Sequence, residues 1–439
     1  MSAARRAALR SATLESNNLI SLLWSDGLRR TFHPLWLRDQ CPSRRHPGTR
    51  QKLFSAADVP PLVRATTTEA TDDVLRVQWE PDHASSYCAT WLRSHGTADA
   101  ADADGSATAN DDEAAVVSAA KASAPPDVYT VDFDELLGGG EDARWRWLRA
   151  LSEDGATLLR GVPEHVTRAA DNNGGGVDGV RFVAELIGPL QPNIYGDIFD
   201  VVSKGDDAEN LAYTTEAIGP HMDLCYYESP PGLQLLHCLA FDQSVTGGGS
   251  LLIDSFRVAE ALRDACPTAF NTLTTIPATF LKDHSRRAHP VLLSYQRPHI
   301  ATDPRSSRVT GVFWSPPFEG PLIPNGTNDV SDYYLAYRLL HRAIEEAPRW
   351  ERRLQPSEML VFNNRRMLHG RHGFESNGGM RHLRGCYVNI DEYANALNLL
   401  NRAFLVNGEN GDGGVAACPG LGNQDWALGP IELPSEKRA

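Results

Sequence analysis

Apolar and polar positions alternate in short runs along most of this chain, and the first such block lies at residues 15–96. LLWSDGLRRTFHPLWLRD places two apolar runs around Ser25-Asp26-Gly27, a hairpin signal, and DVLRVQWEPDH alternates as a third strand. YCATWLRSHG reads as a short helix ending on Gly96, a residue suited to closing helices. The alternation then stops. Residues 97–126 are dominated by Ala, Asp and Ser, with almost no large apolar side chain. Such a segment cannot bury enough surface to offset its ordering entropy, so a disordered linker or insertion is expected there.

Patterned sequence resumes over 127–405. ARWRWLRALSEDG reads as a helix, ATLLRGVP as a strand and RFVAELIGPL as a short helix closed by Gly188-Pro189. The runs LQLLHCLAF, SLLIDSF, RVTGVFW, EMLVFNN and RGCYVNI follow as strands, with longer helices at 258–265 and 331–347. Many short strands with Gly and Pro turns predict a mainly β domain, a sandwich or jelly roll with flanking helices. From 406 to 439 the chain turns Gly-rich, which predicts a flexible tail.

Composition narrows the function classes. At 439 residues the chain is long enough for a full-sized catalytic domain beside a smaller one. A formal charge of −14 argues against nucleic-acid binding, which needs a basic stripe. The apolar runs, such as 233–241, fall short of a membrane span. Seven scattered cysteines without a CxxC pair predict a reducing compartment. The first fourteen residues carry three Arg and no acid before Glu15, which fits a mitochondrial targeting helix or a frayed basic terminus of a cytoplasmic protein.

Candidate chemistry begins at His221-Met222-Asp223. In an extended strand His221 and Asp223 share a face, so an imidazole and a carboxylate converge. They form two-thirds of the 2-His-1-carboxylate triad that holds Fe(II) with open positions. Alone, such a pair is more often a surface pair. His369, at the end of EMLVFNNRRMLHGR, is a third ligand candidate. Thr246-Gly247-Gly248-Gly249-Ser250 reads by itself as a flexible turn, and Arg381-His382-Leu383-Arg384 as a solvated strand edge. Cys41, His46 and His83 could contribute to a zinc site, which normally takes four ligands.

Taken in order, HMD, TGGG, FNNRRMLHGR and RHLRGCY resemble the Fe(II)/2-oxoglutarate dioxygenases of the taurine dioxygenase superfamily. FHPLWLRDQC followed by TRQKLF is similar to the small N-terminal domain of its γ-butyrobetaine and trimethyllysine dioxygenase branch. The resemblance implies a double-stranded β-helix (jelly-roll) catalytic domain, with His221, Asp223 and His369 as iron ligands. It implies Thr246 and Arg381 for the distal carboxylate of 2-oxoglutarate, with Arg384 as a rival. It also implies O2 as cosubstrate, ascorbate as a supporting reductant and a homodimer. Tyr195, Phe199, Tyr213 and Tyr387 match an aromatic cage for a trimethylammonium, and Asn210 a contact to the substrate carboxylate. This favours γ-butyrobetaine hydroxylation to L-carnitine, with trimethyllysine or another small amine or acid as the alternative. Two departures stand out. Trp314-Ser315-Pro316-Pro317 replaces an asparagine-containing segment of the branch, and Cys41-Pro42-Ser43 replaces its cysteine-rich motif, so zinc there is expected to be weak or absent. A non-catalytic metal protein is a further reading, as is a zinc hydrolase with Glu216 or Glu228 as base.

Overall fold

The structure is a computed structural model that describes residues 7–46, 49–96, 109–167, 176–203, 211–285 and 289–406. Ten strands build the main body: β1 Tyr129–Asp132, β2 Ala156–Arg160, β3 Ile198–Val201, β4 Ile218–His221, β5 Leu233–Phe241, β6 Ser250–Asp254, β7 Trp350–Arg352, β8 Met359–Asn363, β9 Met367–Arg371 and β10 Arg381–Val388. The larger sheet runs β3-β10-β5-β8-β2-β1 and the smaller β4-β9-β6-β7. Every pairing is antiparallel except β1 with β2. This is the jelly-roll architecture predicted from the sequence.

The long apolar runs follow from burial on both faces of the larger sheet. Leu236, Leu360, Phe362 and Leu383 point toward the smaller sheet and pack with Leu252 and Met367. Leu233, Leu235, Val361 and Val388 point the other way, beneath Trp147, Leu148, Val183, Tyr393 and Leu397. Those residues come from the helices Gly140–Asp154, Gly179–Glu185 and Ile390–Val406. Each fully buried side chain of this kind contributes roughly 1.5–3 kcal/mol. The last helix was not foreseen from the sequence.

The N-terminal unit contains two three-stranded sheets, and its Ser25-Asp26-Gly27 turn closes a hairpin between Ile20–Trp24 and Arg29–Phe32 as predicted. The strand Leu9–Leu14 pairs with Ile20–Trp24. Thus the unit starts before residue 15, and residues 9–14 form a strand in it rather than a helix or a frayed end. The expected disorder at 97–126 is also corrected. Ala109–Lys121 is a helix whose Val116 and Ala120 are fully buried. It is bridged to the helix Thr327–Glu346 by Glu113–Arg342 at 3.0 Å and Lys121–Glu346 at 3.1 Å. Alanine's helix propensity and small packing surface supply what large apolar side chains would have. Residues 97–108 and the predicted tail beyond 406 lie outside the described residues.

A buried polar cluster joins the two units. Lys52 Nζ lies 2.6 Å from Asp39 and 3.7 Å from Glu319, and all three side chains are at most 5% exposed. Tyr334 donates to Asp39 at 3.0 Å and Tyr337 to Glu319 at 2.8 Å. The ammonium sits on Asp39, so Glu319 is left more weakly compensated: burial, reinforced by Asp39 and opposed by Lys52, pushes its carboxyl up to about 7. A folded-state value above the usual one makes Glu319 contribute stability that is complete below about pH 4.5 and lost as pH rises to about 7. Urea unfolding should therefore show a falling component, on the order of 1 kcal/mol per pH unit across that window. Glu319→Gln should lack it, and equal slopes for the two proteins would contradict this account.

Candidate active site

The chain delivers three side chains that could ligate a metal to one point through two adjacent strands and a turn. His221 ends β4 and is in register with His369 of β9, and their rings lie 4.2 Å apart between centroids. The extended backbone stops at His221, and Asp223 opens a turn whose next residue, Leu224, has φ +59°. Met222 turns into the core while its flanking residues face the pocket. The turn is clamped by Asn364. Its Oδ1 accepts from Asp223 N–H at 3.0 Å, and its Nδ2 donates to the Asp223 carbonyl at 3.2 Å. A fully buried amide thus fixes the main chain of the carboxylate residue.

The side chains are oriented with equal care. His221 Nε2 lies 3.3 Å from Asp223 Oδ1, and His369 Nε2 3.7 Å from Oδ2. His221 Nδ1–H donates to the Gly219 carbonyl at 3.0 Å, which leaves the Nε2 lone pair directed inward. Tyr387 donates its hydroxyl to Asp223 Oδ2 at 2.7 Å. The nearest ligating atoms of His221, Asp223 and His369 all lie within 4.8 Å of one another, the one such group among the described residues. Despite burial, His369, His221 and Tyr387 hold the Asp223 carboxyl well below its usual range, while burial and the His221 charge push His369 down to about 3. Against burial, Asp223 raises His221. An ionised carboxylate and a neutral His369 are what a metal requires. Two imidazoles and one carboxylate suit Fe(II).

A pocket opens from this cluster. Tyr195, Phe199, Tyr213 and Tyr387 all line it, with Phe199 and Tyr387 stacked at 5.1 Å. Sequence reasoning missed Tyr226 and Phe318, although Tyr226 follows Asp223 by three residues and Phe318 follows the Pro316-Pro317 step already singled out. Asn210 lies outside the described residues.

Arg381 also lines the pocket, its Nε donating to the Gly248 carbonyl at 3.3 Å. Burial pushes its guanidinium down to about 10. Arg384 is not a rival: it is tied to Asp178 at 2.6 Å and Asp200 at 2.9 Å, outside the pocket lining. Thr246 requires a correction. It is exposed, its Oγ1 accepting from Asn377 at 3.3 Å, and it does not line the pocket; the buried hydroxyl residue that does is Ser250. The intervening glycines are structural necessities and not a loose turn. Gly247 has φ +80° and a Cβ there would lie 2.3 Å from the Gly373 carbonyl oxygen, while a Cβ on Gly248 (φ +72°) would press on Phe241 and Arg381.

In the N-terminal unit, Cys41 Sγ contacts Ser43 at 3.1 Å, Ser85 at 3.0 Å and His83 at 3.3 Å, while His46 Nδ1 accepts from Thr49 N–H. One thiol and one imidazole among hydroxyls do not make a four-ligand zinc site.

Removing the Tyr387 hydroxyl should loosen the Asp223 carboxylate without disturbing the fold. Tyr387→Phe is expected to weaken Fe(II) affinity by about 10–100-fold in an anaerobic titration, with the unfolding midpoint nearly unchanged. An unaltered affinity would contradict the orienting role.

Comparison with known proteins places the chain. The profile of the taurine catabolism dioxygenase TauD, TfdA family matches residues 119–387, and that of the γ-butyrobetaine hydroxylase-like N-terminal domain matches residues 12–93. A γ-butyrobetaine dioxygenase from Pseudomonas sp. (strain AK-1) is 35% identical over 388 residues, covering 87% of this chain and 94% of that protein. Dioxygenase str8 of Strobilurus tenacellus is 28% identical over 373 residues, 81% of this chain and 82% of its own length. A trimethyllysine dioxygenase of Meyerozyma guilliermondii is 26% identical over 412 residues, 89% and 95% of the two chains. The chain therefore belongs to the TauD, TfdA family and is a dioxygenase that works with Fe(II), 2-oxoglutarate and O2.

Proposed function

We propose that this dioxygenase hydroxylates γ-butyrobetaine to L-carnitine, with His221, Asp223 and His369 holding the iron. The observation that carries the reading is that one pocket is lined by the candidate ligand cluster, by Tyr195, Phe199, Tyr213 and Tyr387, and by the buried guanidinium of Arg381. Arg381 and Ser250 would bind the distal carboxylate of 2-oxoglutarate, for which a guanidinium in a partly dry wall is suited. When bound, iron and 2-oxoglutarate supply the oxidising power that hydroxylates an unactivated carbon. The protein's part is orientation and exclusion of water.

A trimethylammonium cannot donate ordinary hydrogen bonds and is best held against aromatic faces. Tyr195, Phe199 and Tyr213 offer such faces, while Tyr387 uses its ring as wall and its hydroxyl on Asp223. The names of the relatives support the same substrate class, and the γ-butyrobetaine dioxygenase at 35% identity favours it over trimethyllysine. The site also speaks against a hydrolase. Glu216 and Glu228, the candidate bases, do not line the pocket.

Succinate release measured with γ-butyrobetaine, trimethyllysine and taurine in parallel should be stimulated most by γ-butyrobetaine. Indifference to all three would overturn the substrate assignment. In the same assay Arg381→Met should raise the KM for 2-oxoglutarate by about 10-fold or more, as loss of a charge-assisted contact implies.

A further inference from the structure

Arg371 lies two residues beyond His369 on β9, so both side chains leave the same face of the strand. In register it sits between Ile218 of β4 and Ser250 of β6, and all three line the pocket. The side chain is buried, and its Nη2 donates to two backbone carbonyls, Thr214 at 2.7 Å and Glu216 at 2.8 Å. Those carbonyls belong to the segment that follows Tyr213. The guanidinium also stacks on Phe374, with Cζ 4.9 Å from the ring centroid, and Arg381 Cζ lies 5.7 Å from the same centroid. Nε is buried without a hydrogen-bond partner.

A neutral amide could bridge to main-chain carbonyls without the cost of burying a charge. Two guanidiniums packed around one phenylalanine also repel each other, and an anion entering beside Arg381 relieves both. We propose that Arg371 is a positioning residue that ties the Tyr213 segment to the strand carrying His369, and that anion binding at Arg381 tightens this tether. The cosubstrate would then prepare the aromatic wall for the substrate, a coupling of the kind in which one ligand orders what the next must find ordered.

Hydrogen exchange tests this directly on metal-free, full-length protein. In the wild type, residues 212–217 should exchange more slowly on adding 2-oxoglutarate. Arg371→Gln should speed their exchange and abolish that response, while β5 and β8 and the unfolding midpoint stay unchanged. Kinetically, Arg371→Gln should raise the KM for the prime substrate by about 10-fold with kcat and the KM for 2-oxoglutarate changed less than about threefold, and Arg371→Lys should recover part of the loss. The kinetic arm rests on the substrate reading above and the 2-oxoglutarate response on Arg381 as its anchor; the faster exchange of Arg371→Gln without 2-oxoglutarate rests on neither, so failure of those readings leaves that result intact. Unchanged exchange at 212–217 overturns the proposal, as does faster exchange throughout the sheets with a lower midpoint, which would mark a purely structural role.

Discussion

The Asp223 carboxylate is the point on which the site depends. It receives the Tyr387 hydroxyl and faces two imidazole nitrogens, while Asn364 holds its main chain from both sides. These groups come from three stretches of chain, HMD, FNNRRMLHGR and RHLRGCY, so the two sheets must be in place before the side chains converge. A ligating geometry held to within a few tenths of an ångström needs rigid elements beneath it. Burial of both faces of β5 and β8 supplies that rigidity.

The same economy extends outward from the metal cluster. Tyr387 belongs at once to the pocket wall and to the support of Asp223, and Arg371 belongs to the metal strand and to the neighbouring segment. Gly247 and Gly248 let the chain pass close to Gly373 and to Arg381, which lines the pocket. The pocket, the candidate ligand cluster and the proposed cosubstrate anchor thus adjoin one another, which makes substitutions at one place felt at the others.

Much of this was legible in the sequence, for reasons that differ by residue. His221, Asp223 and His369 could be found because metal ligation restricts residue type, and strand periodicity puts the first two on one face. The aromatic wall at Tyr195, Phe199, Tyr213 and Tyr387 followed from the family resemblance. Thr246 was misassigned because TGGGS contains two hydroxyls, and only the left-handed glycines between them decide which one turns inward. Asn364 sat in a polar turn that no periodicity marks as functional. The helix Ala109–Lys121 escaped because composition weighs side-chain volume, whereas its packing uses Val116 and Ala120 at close approach. The Lys52–Asp39–Glu319 cluster joins two residues of the N-terminal unit to one far downstream, and no local pattern announces it.

The most direct test of the account is equilibrium Fe(II) binding to anaerobic protein, compared among wild type, Asp223→Ala and His221→Ala. The wild type should bind one ion per chain at this site, and each variant should lose that ion while unfolding at nearly the same midpoint. Retention of wild-type Fe(II) affinity by either variant would contradict the claim that this cluster is the metal centre.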